Sequence, residues 1–237
     1  MAATRLPGKP LLKINNLSII SHVFKKAEET KIGEVVVATD DKQILEDVIK
    51  NGGKGILTRS DHKTGTDRIF EAYKKLNIKN IDYILNLQGD EPNINKEDII
   101  NLNNFMMNDE SEIGTLAAII KDDKMLDDKN VVKVITKNDL SKKNFSLALN
   151  FSRDNLSKNH KNIYHHIGIY LYKVSALKKI INLAQTKNEM NNKLEQLRAL
   201  DNQMKINVVL AKSSSIGVDT EEDFLAIKKI MEYKLKK

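Results

Sequence analysis

Short apolar runs alternate with amphipathic helical patterns in the first half of the chain, and this alternation limits the possible folds more than any other feature. The runs have the length of buried strands, and the patterns between them predict crossover helices. Fully apolar strands separated by helices are typical of a mostly parallel sheet with helices on both faces, an α/β fold. The predicted strands are 35–38, 56–57, 83–87 and 113–120, and the predicted helices are 17–30, 41–50, 66–76 and 95–107.

The pattern changes after residue 120. Apolar runs at 131–136 and 145–153 flank a polar turn, which predicts an antiparallel hairpin. We expect one domain, in which residues 1–120 and 206–237 build the main sheet and residues from about 121 to 205 build a small lobe. The remaining predicted elements are a strand at 166–172, helices at about 173–185 and 191–203, a strand at 206–211 and a closing helix from 220.

The composition disfavours several classes of protein. The 237 residues include no cysteine, which excludes disulfides and zinc–thiolate sites. No run approaches the ~20 apolar residues of a membrane span, and the sequence does not open on an apolar signal-peptide core. The net charge of +7 comes from dispersed lysines and not from a basic block interleaved with aromatics. We therefore expect a cytoplasmic protein with no nucleic-acid or membrane partner.

The first ten residues, MAATRLPGKP, form a basic loop. Arg5 and Lys9 lie four positions apart, among prolines and a glycine that allow tight turns. A Gly/Lys loop that leads into a helix can hold phosphate groups. The spacing is not that of a P-loop, so the usual ATPase interpretation does not apply. The alternative is a basic terminal segment without fixed structure, and the loop alone does not decide between the two.

Two carboxylates are placed where α/β sheets bind ligands. Asp90 follows the predicted strand 83–87, and ligands lie beyond the carboxyl ends of such strands. A carboxylate there suits Mg²⁺, which one or two carboxylates hold together with substrate phosphates. Asp219 precedes the last helix, which Thr220 can cap with Asp223 in the first turn. Asp219 is then a candidate second metal ligand, and a solvated turn is the alternative at both places.

A polar loop at 58–68, TRSDHKTGTDR, leads into a predicted helix that Thr66 can cap. Asp67 and Arg68 offer hydrogen-bonding groups for a base or a ribose. His62 has no cysteine or histidine partner at a ligand spacing, which disfavours a transition-metal site.

The strand that opens at His165 and His166 is a further candidate. Adjacent strand residues point to opposite faces, so the two histidines do not share a ligand. Tyr170 and Tyr172 have the parity of His166. The segment 194–198, LEQLR, is predicted to be helical, with its polar side chains Glu195, Gln196 and Arg198 forming a solvated face.

Eight motifs occur along the chain in one order. They are TRLPGKPL at 4–11, VVVATDD at 35–41, SDHKTGTDR at 60–68, NLQGDEP at 86–92, FSR at 151–153, HIGIY at 166–170, LEQLRAL at 194–200 and GVDT at 217–220. Together they resemble the 3-deoxy-manno-octulosonate (Kdo) cytidylyltransferases, also called CMP-Kdo synthetases, over essentially the whole chain. TRLPGKPL and QGDEP are shared with related sugar-acid cytidylyltransferases, whereas HIGIY, LEQLR and GVDT indicate the Kdo enzymes.

This resemblance implies an activity. The anomeric hydroxyl of Kdo attacks the α-phosphate of CTP and gives CMP-Kdo and pyrophosphate, which activates Kdo for lipopolysaccharide synthesis. The resemblance also implies Mg²⁺ as the cofactor, the fold of the nucleotide-diphospho-sugar transferases and a homodimer formed through the small lobe.

The resemblance assigns roles to particular residues. Arg5 and Lys9 would hold the triphosphate, and Asp90 and Asp219 would bind Mg²⁺, so that these four form the catalytic set. Thr66 and Asp67 would contact the nucleotide. The residues that would line the sugar-acid pocket are Gln88, Arg153, His166, Tyr170, Glu195 and Gln196, of which Gln88 would also contact the nucleotide.

The chain departs from the family pattern in places. Relatives typically carry an apolar strand and an arginine, IIPAR, before the segment that here begins at Met1, so we expect the first strand to be missing here and the native protein to be longer. Leu156-Ser157 replaces an Ile-Pro pair, and Asn192 replaces a glutamate. These changes leave open a related acid, such as 8-amino-Kdo or a sialic-type acid. A catalytically impaired nucleotide-binding homologue is the other alternative; the missing arginine favours it, and the four catalytic candidates together oppose it.

Overall fold

The structure is a computed structural model that describes residues 6–109, 111–156, 160–213 and 217–235. Among the described helices, none combines the length and the apolar character that a membrane crossing requires. The helices are α1 Ile19–Glu29, α2 Lys42–Lys50, α3 Gly65–Leu76, α4 Lys96–Asp109, α5 Lys124–Asp127, α6 Val174–Ile181, α7 Lys187–Asn192, α8 Gln196–Asp201 and α9 Glu221–Leu235. The strands are β1 Lys13–Ile14, β2 Leu17–Ser18, β3 Val37–Thr39, β4 Gly55–Leu57, β5 Tyr83–Asn86, β6 Ile113–Ala118, β7 Lys133–Thr136, β8 Phe145–Ser152, β9 Ile163–Lys173 and β10 Asn207–Leu210.

The chain forms two compact units. Unit 1 takes in Met1–Asn77, Leu87–Ile99 and Ser215–Lys237, and unit 2 takes in Ile78–Asn86 and Ile100–Ser214, in each case as far as the chain is described. The predicted boundary near residue 120 does not coincide with a break in the sheet of unit 2, because β6 and β9 are hydrogen-bonded neighbours.

Unit 1 is held by an apolar cluster to which distant parts of the chain contribute. Ile14, Ile19, Val218 and Ile227 are each fully buried in it, and Leu12 and Phe224 are among the partly buried side chains packed against it. Helix α1 begins two residues later than the predicted helix at 17–30, because Leu17 and Ser18 form β2 and the Ser18 hydroxyl caps the helix by accepting the Ser21 amide at 3.1 Å. Because Val218 precedes Asp219, this cluster fixes the backbone that carries one of the candidate metal ligands.

Unit 2 is built on a six-stranded sheet in the order β5-β9-β6-β10-β8-β7. The long strand β9 pairs with β5 near its end, with β7 near its start, and with β6 along its other edge. The pairings β9–β6–β10–β8–β7–β9 therefore form a closed cycle. The predicted hairpin is confirmed, since β7 and β8 pair antiparallel.

The α/β class is confirmed, but the expectation of a mostly parallel sheet is wrong. Among the described strands, only β3–β4 and β6–β10 pair in parallel. The cause is β9, which comes late in the chain and runs antiparallel between β5 and β6. A strand with both faces buried is apolar along its length whichever way its neighbours run, so the hydrophobic pattern does not report direction.

The helix predicted at 191–203 is two short helices, α7 and α8. The chain between them passes through Lys193 at a φ of 53°, a left-handed conformation that ends a helix. This break sets Glu195 at the N-terminal end of α8 rather than in the middle of a long helix.

We predict that Ile227→Ala lowers the free energy of unfolding by about 2 to 5 kcal/mol, because it leaves a cavity in the buried cluster of unit 1. The matched control is Leu225→Ala on the same helix, where the side chain is 57% exposed. Its effect should stay within ~0.5 kcal/mol. Urea denaturation of the two variants measures both values, and equal losses would contradict this account of the core.

Candidate active site

The Lys9 ammonium group binds two carboxylates at once. Its Nζ donates to Asp90 Oδ2 at 2.7 Å and to Asp219 Oδ1 at 2.9 Å. The lysine side chain is 13% exposed, while those of Asp90 and Asp219 are 27% and 47% exposed. Three of the four predicted catalytic residues thus meet at one place in unit 1. The fourth, Arg5, lies outside the described residues.

Local backbone structure places each member of this cluster. Lys9 opens a 3₁₀ turn after Gly8, which adopts a φ of 70° that glycine allows without strain. The amide of Val218 donates to the Asp90 carbonyl at 2.9 Å and so joins the loop after β5 to the segment before α9.

The start of α9 fixes Asp219. The Asp223 carboxylate accepts the backbone amides of Asp219 at 3.1 Å and of Thr220 at 2.8 Å. The Thr220 hydroxyl in turn accepts the Asp223 amide at 3.2 Å, so the predicted cap is confirmed.

The charges of this cluster are mutually dependent. Burial lowers the pKa of Lys9, but Asp90 and then Asp219 outweigh it and hold the pKa above its usual 10.5. Lys9 therefore stays a cation, and its ammonium group lies within hydrogen-bonding distance of both carboxylates. Oxygens that converge on one cation fit Mg²⁺, which needs few protein carboxylates when phosphates complete its shell. The described residues contain no group of three or more His, Cys, Asp or Glu side chains suited to a metal.

The predicted nucleoside loop is organised by hydrogen bonds of its own. Thr64, and not Thr66, caps α3: its hydroxyl accepts the Asp67 amide at 3.2 Å, and the Asp67 carboxylate accepts the Thr64 amide at 3.1 Å. Thr66 is buried inside the first turn. The reason is a capping box, T-x-x-D, which places the cap two residues earlier than expected and starts the helix at Gly65. The nucleotide contacts of Thr66 and Asp67 stay predictions.

Glu71 is a residue of this loop region that the sequence did not single out. Its carboxylate accepts from the Arg59 amide, from His62 Nε2 and from Lys75 Nζ. The Lys75 hydrogen bond contributes most to lowering the pKa of Glu71 to about 2, against an opposing effect of burial. Arg68 ties the same loop to the end of β3, with Nη1 donating to Thr58 Oγ1 at 2.6 Å and Nη2 lying 3.3 Å from Asp40.

A second cluster of polar side chains lies in unit 2 around a bulge between β6 and β9. We call Thr115, His166 and Tyr170 the polar group of unit 2. The pairing partner changes from Tyr170 to Ile167 between two neighbouring residues of β6, inside the HIGIY motif. The Thr115 hydroxyl meets this bulge and donates to the Ile169 carbonyl at 2.7 Å. Its oxygen is 3.0 Å from His166 Nε2. Because the hydroxyl hydrogen goes to the carbonyl, His166 Nε2 is the donor and Nδ1 is left as an acceptor.

His166 and Tyr170 share one face, as their parity predicts. Their ring centroids are 5.5 Å apart, and Tyr170 stacks on Tyr172 at 5.6 Å. Burial, and then the neighbouring His165, lowers the pKa of His166 to about 3, so the imidazole is neutral at pH 7. Burial, and then the charges of Tyr172 and Glu195, raises the pKa of Tyr170 far above 10. The Tyr170 hydroxyl is buried without a hydrogen-bond partner in the described part of the chain.

Arg153 follows β8 and donates only to backbone carbonyls within the described residues. Nη1 reaches the carbonyls of Lys129 at 3.0 Å and Asn130 at 3.5 Å, and Nε reaches that of Asn192 at 3.4 Å. These neutral acceptors leave its positive charge uncompensated by a direct ion pair. Glu195 acts electrostatically on Tyr170, and Gln196 follows it as the first residue of α8. Gln88 is exposed in the loop between β5 and α4 of unit 1.

The chain matches known proteins over nearly its full length. The model of a family described as "Cytidylyltransferase" matches residues 1–206. A 3-deoxy-manno-octulosonate cytidylyltransferase of Thermodesulfovibrio yellowstonii is 44% identical, with 97% of this chain and 94% of that protein covered. One of Rhodopseudomonas palustris BisB5 is 42% identical, with 94% and 91% covered. A solved CMP:2-keto-3-deoxy-manno-octonic acid synthetase complexed with CTP is 33% identical with a TM-score of 0.87, covering 98% and 94%.

The chain belongs to the 3-deoxy-manno-octulosonate cytidylyltransferase family. An apo UDP-glucose pyrophosphorylase, 11% identical with a TM-score of 0.74 over 99% of this chain and 96% of that one, shares the fold alone. The family resemblance found in the motifs is confirmed, and with it the nucleotidyltransferase-like α/β fold.

A buried ion pair between Arg198 and Glu189 corrects one prediction and adds a residue that the sequence analysis did not consider. Arg198 of LEQLR is not on a solvated face: it is buried and pairs with the buried Glu189, Nε donating to Oε2 at 2.8 Å. Glu189 was missed, although Thr186-x-x-Glu189 is a capping-box pattern that the sequence displays. The pair joins α7, whose last carbonyl meets Arg153, to α8, which begins at Gln196.

We predict that His166→Asn changes the pH dependence of stability. The pKa of His166 is about 3 in the folded chain and ~6.5 when unfolded. Below pH 6.5 the histidine binds a proton in the unfolded state but not in the folded state, so the free energy of unfolding decreases as the pH falls. The wild type should lose up to ~1.4 kcal/mol per pH unit more than the variant between pH 6 and pH 4. Parallel curves from urea denaturation would contradict this.

Proposed function

We propose that this chain transfers CMP from CTP to 3-deoxy-manno-octulosonate and releases pyrophosphate. The observation that carries the proposal is the convergence of Asp90 and Asp219 on the Lys9 ammonium group. A site with two carboxylates and a permanent cation suits a nucleoside triphosphate with its metal, because phosphoryl transfer depends on positioning and on neutralising charge. The names of the relatives supply the nucleotide and the sugar acid.

In the proposed reaction the anomeric hydroxyl of the sugar acid attacks the α-phosphorus of CTP. A bond forms between that oxygen and the α-phosphorus, and the bond from the α-phosphorus to the oxygen that bridges to the β-phosphate breaks. Pyrophosphate leaves with the electron pair of the broken bond, and the hydroxyl proton passes to water. Lys9, held cationic by its neighbours, can neutralise the triphosphate. Arg5 would share this role, as the motif TRLPGKPL implies.

Mg²⁺ is part of the proposal. Asp90 and Asp219 would hold it, since their oxygens already lie together at one cation. When bound, Mg²⁺ would neutralise phosphate charge and make the attacking hydroxyl more acidic.

We assign the sugar acid to the polar group of unit 2. Arg153 can pair with the sugar carboxylate in the bidentate way that a guanidinium allows. His166 stays neutral and Tyr170 stays protonated at pH 7, so they offer hydrogen bonds without charge. A buried unpartnered hydroxyl costs ~1 to 3 kcal/mol, which a hydrogen bond from a ligand would offset. Glu195 and Gln196 complete the proposed contacts to the sugar acid within unit 2, and the contact of Gln88 stays a prediction of the family resemblance.

Two further properties belong to this proposal. A homodimer is expected from the family resemblance, and a cytoplasmic location is expected because CTP is made and used inside the cell.

We predict that Asp90→Asn and Asp219→Asn each reduce turnover to below a tenth of the wild-type rate, a loss of at least ~1.4 kcal/mol in transition-state stabilisation. An amide is a weaker ligand for a hard cation than a carboxylate. Pyrophosphate release from CTP and Kdo at 5-fold or greater excess of Mg²⁺ over CTP measures the rate.

Glu34→Gln serves as the matched control for these two variants, because it removes a carboxylate that pairs with Lys54 at the surface of the same unit. It should keep the wild-type rate. If Asp90→Asn or Asp219→Asn retains more than a tenth of the rate with the fold intact by circular dichroism, that carboxylate is not an essential ligand.

A further inference from the structure

Lys133, in β7, is a buried lysine whose ammonium group binds the backbone. The side chain is among the largest fully buried ones, and the residue is 1% exposed. Its Nζ donates to the carbonyls of Asp128 at 2.9 Å, Val131 at 3.0 Å and Arg153 at 2.6 Å. Three donors thus meet three acceptors, which satisfies every N–H of the group.

The same segment receives the Arg153 guanidinium. Arg153 Nη1 donates to the carbonyls of Lys129 and Asn130, which lie between the two loop carbonyls that Lys133 holds. Lys133 therefore binds both the loop 128–131 and the backbone of the arginine that rests on it. Its position in the sheet agrees with this, since Lys133 pairs across β7 with Ser152 on one side and His165 on the other.

A charge in this position is expensive. Burial lowers the pKa of Lys133, which Asp128 and Asp154 partly oppose. No carboxylate of the described residues forms an ion pair with it, and an apolar side chain of similar length would fill the space without that cost. What an apolar side chain would not supply is three directed hydrogen bonds to two chain segments.

We propose that Lys133 is a positioning residue that holds the loop 128–131 and Arg153 in the arrangement required for sugar-acid binding. The proposal rests on the proposed function in one respect, namely that Arg153 binds the sugar carboxylate. Lys133 acts through Arg153 in this proposal, because its three N–H groups are already donated to backbone carbonyls.

The test compares Lys133→Met, Arg153→Ala and the double variant in steady-state kinetics with CTP and Kdo. Lys133→Met should raise KM for Kdo by roughly 10-fold and leave KM for CTP within about 2-fold, since the coupled residues serve the sugar acid only. The double variant should be no worse than Arg153→Ala alone, because Lys133 has no effect once its target is gone. Additive losses, or equal losses in both KM values, would overturn the proposal.

Tyr164→Phe is the matched control. Tyr164 is buried in β9 next to β7, and its hydroxyl binds the Leu140 amide at 2.9 Å and Asp139 at 2.8 Å in a different loop. It should lower the melting temperature without changing KM for Kdo. If Tyr164→Phe raises KM for Kdo as much as Lys133→Met does, the effect of Lys133 is general destabilisation and the proposal fails.

Two additions make the outcome decisive. Lys133→Gln, a shorter neutral donor, covers the case in which Lys133→Met does not fold; failure of both variants to fold would give Lys133 a structural role only and overturn the proposal.

The Nε–H signal of Arg153 in an NMR spectrum, assigned by its loss in Arg153→Ala, should exchange with water faster in the Lys133 variants. This signal is independent of turnover, so an inactive wild type would overturn the proposed function, whereas an unchanged signal would overturn the positioning role.

Discussion

The ammonium group of Lys9 joins two carboxylates that are 81 and 210 positions away in the chain. Two carboxylates that converge on one point repel each other unless a cation lies between them. The arrangement of the 3₁₀ turn, the loop after β5 and the segment before α9 therefore depends on this contact. Apolar packing also stabilises the position of Asp219, since the preceding residue, Val218, is buried in the same cluster as Ile227. We infer that the cluster of Lys9, Asp90 and Asp219 can bind a metal cation in addition to the lysine ammonium group, together with a polyphosphate.

The polar group of unit 2 differs from the Lys9 cluster because its side chains are uncharged. His166 is kept neutral and Tyr170 is kept protonated by burial, so neither carries a charge at pH 7. Glu189 is paired to Arg198, and Lys133 donates all of its N–H groups to three backbone carbonyls. Arg153 is left as a cation on neutral acceptors, which suits an anionic ligand. Neutral hydrogen-bonding groups, together with an arginine that has no direct ion pair among the described residues, suit the recognition of a polyhydroxy acid.

The sequence predicted most helices and strands, because the apolar runs have strand length and Thr220 is a visible cap. Through the family resemblance it predicted Lys9 as a phosphate contact and Asp90 and Asp219 as metal ligands; the structure brings the three side chains together, and their roles stay predictions. It did not predict strand direction, because β9 arrives from a distant part of the chain and a buried strand looks the same in either direction. It also placed Arg198 in solvent, since a helical pattern does not reveal that Glu189 lies within reach. Lys133 was passed over because a single lysine in an apolar strand carries no motif.

The most direct test of the account is to supply the wild-type chain with CTP, Mg²⁺ and a panel of sugar acids, and to measure pyrophosphate release together with the mass of the product. The panel contains Kdo, 8-amino-Kdo and a nine-carbon sialic-type acid. We predict turnover with Kdo, at the highest kcat/KM of the panel, and one CMP-Kdo formed per pyrophosphate released. No turnover with any acid, or a preference for one of the other two, would contradict it.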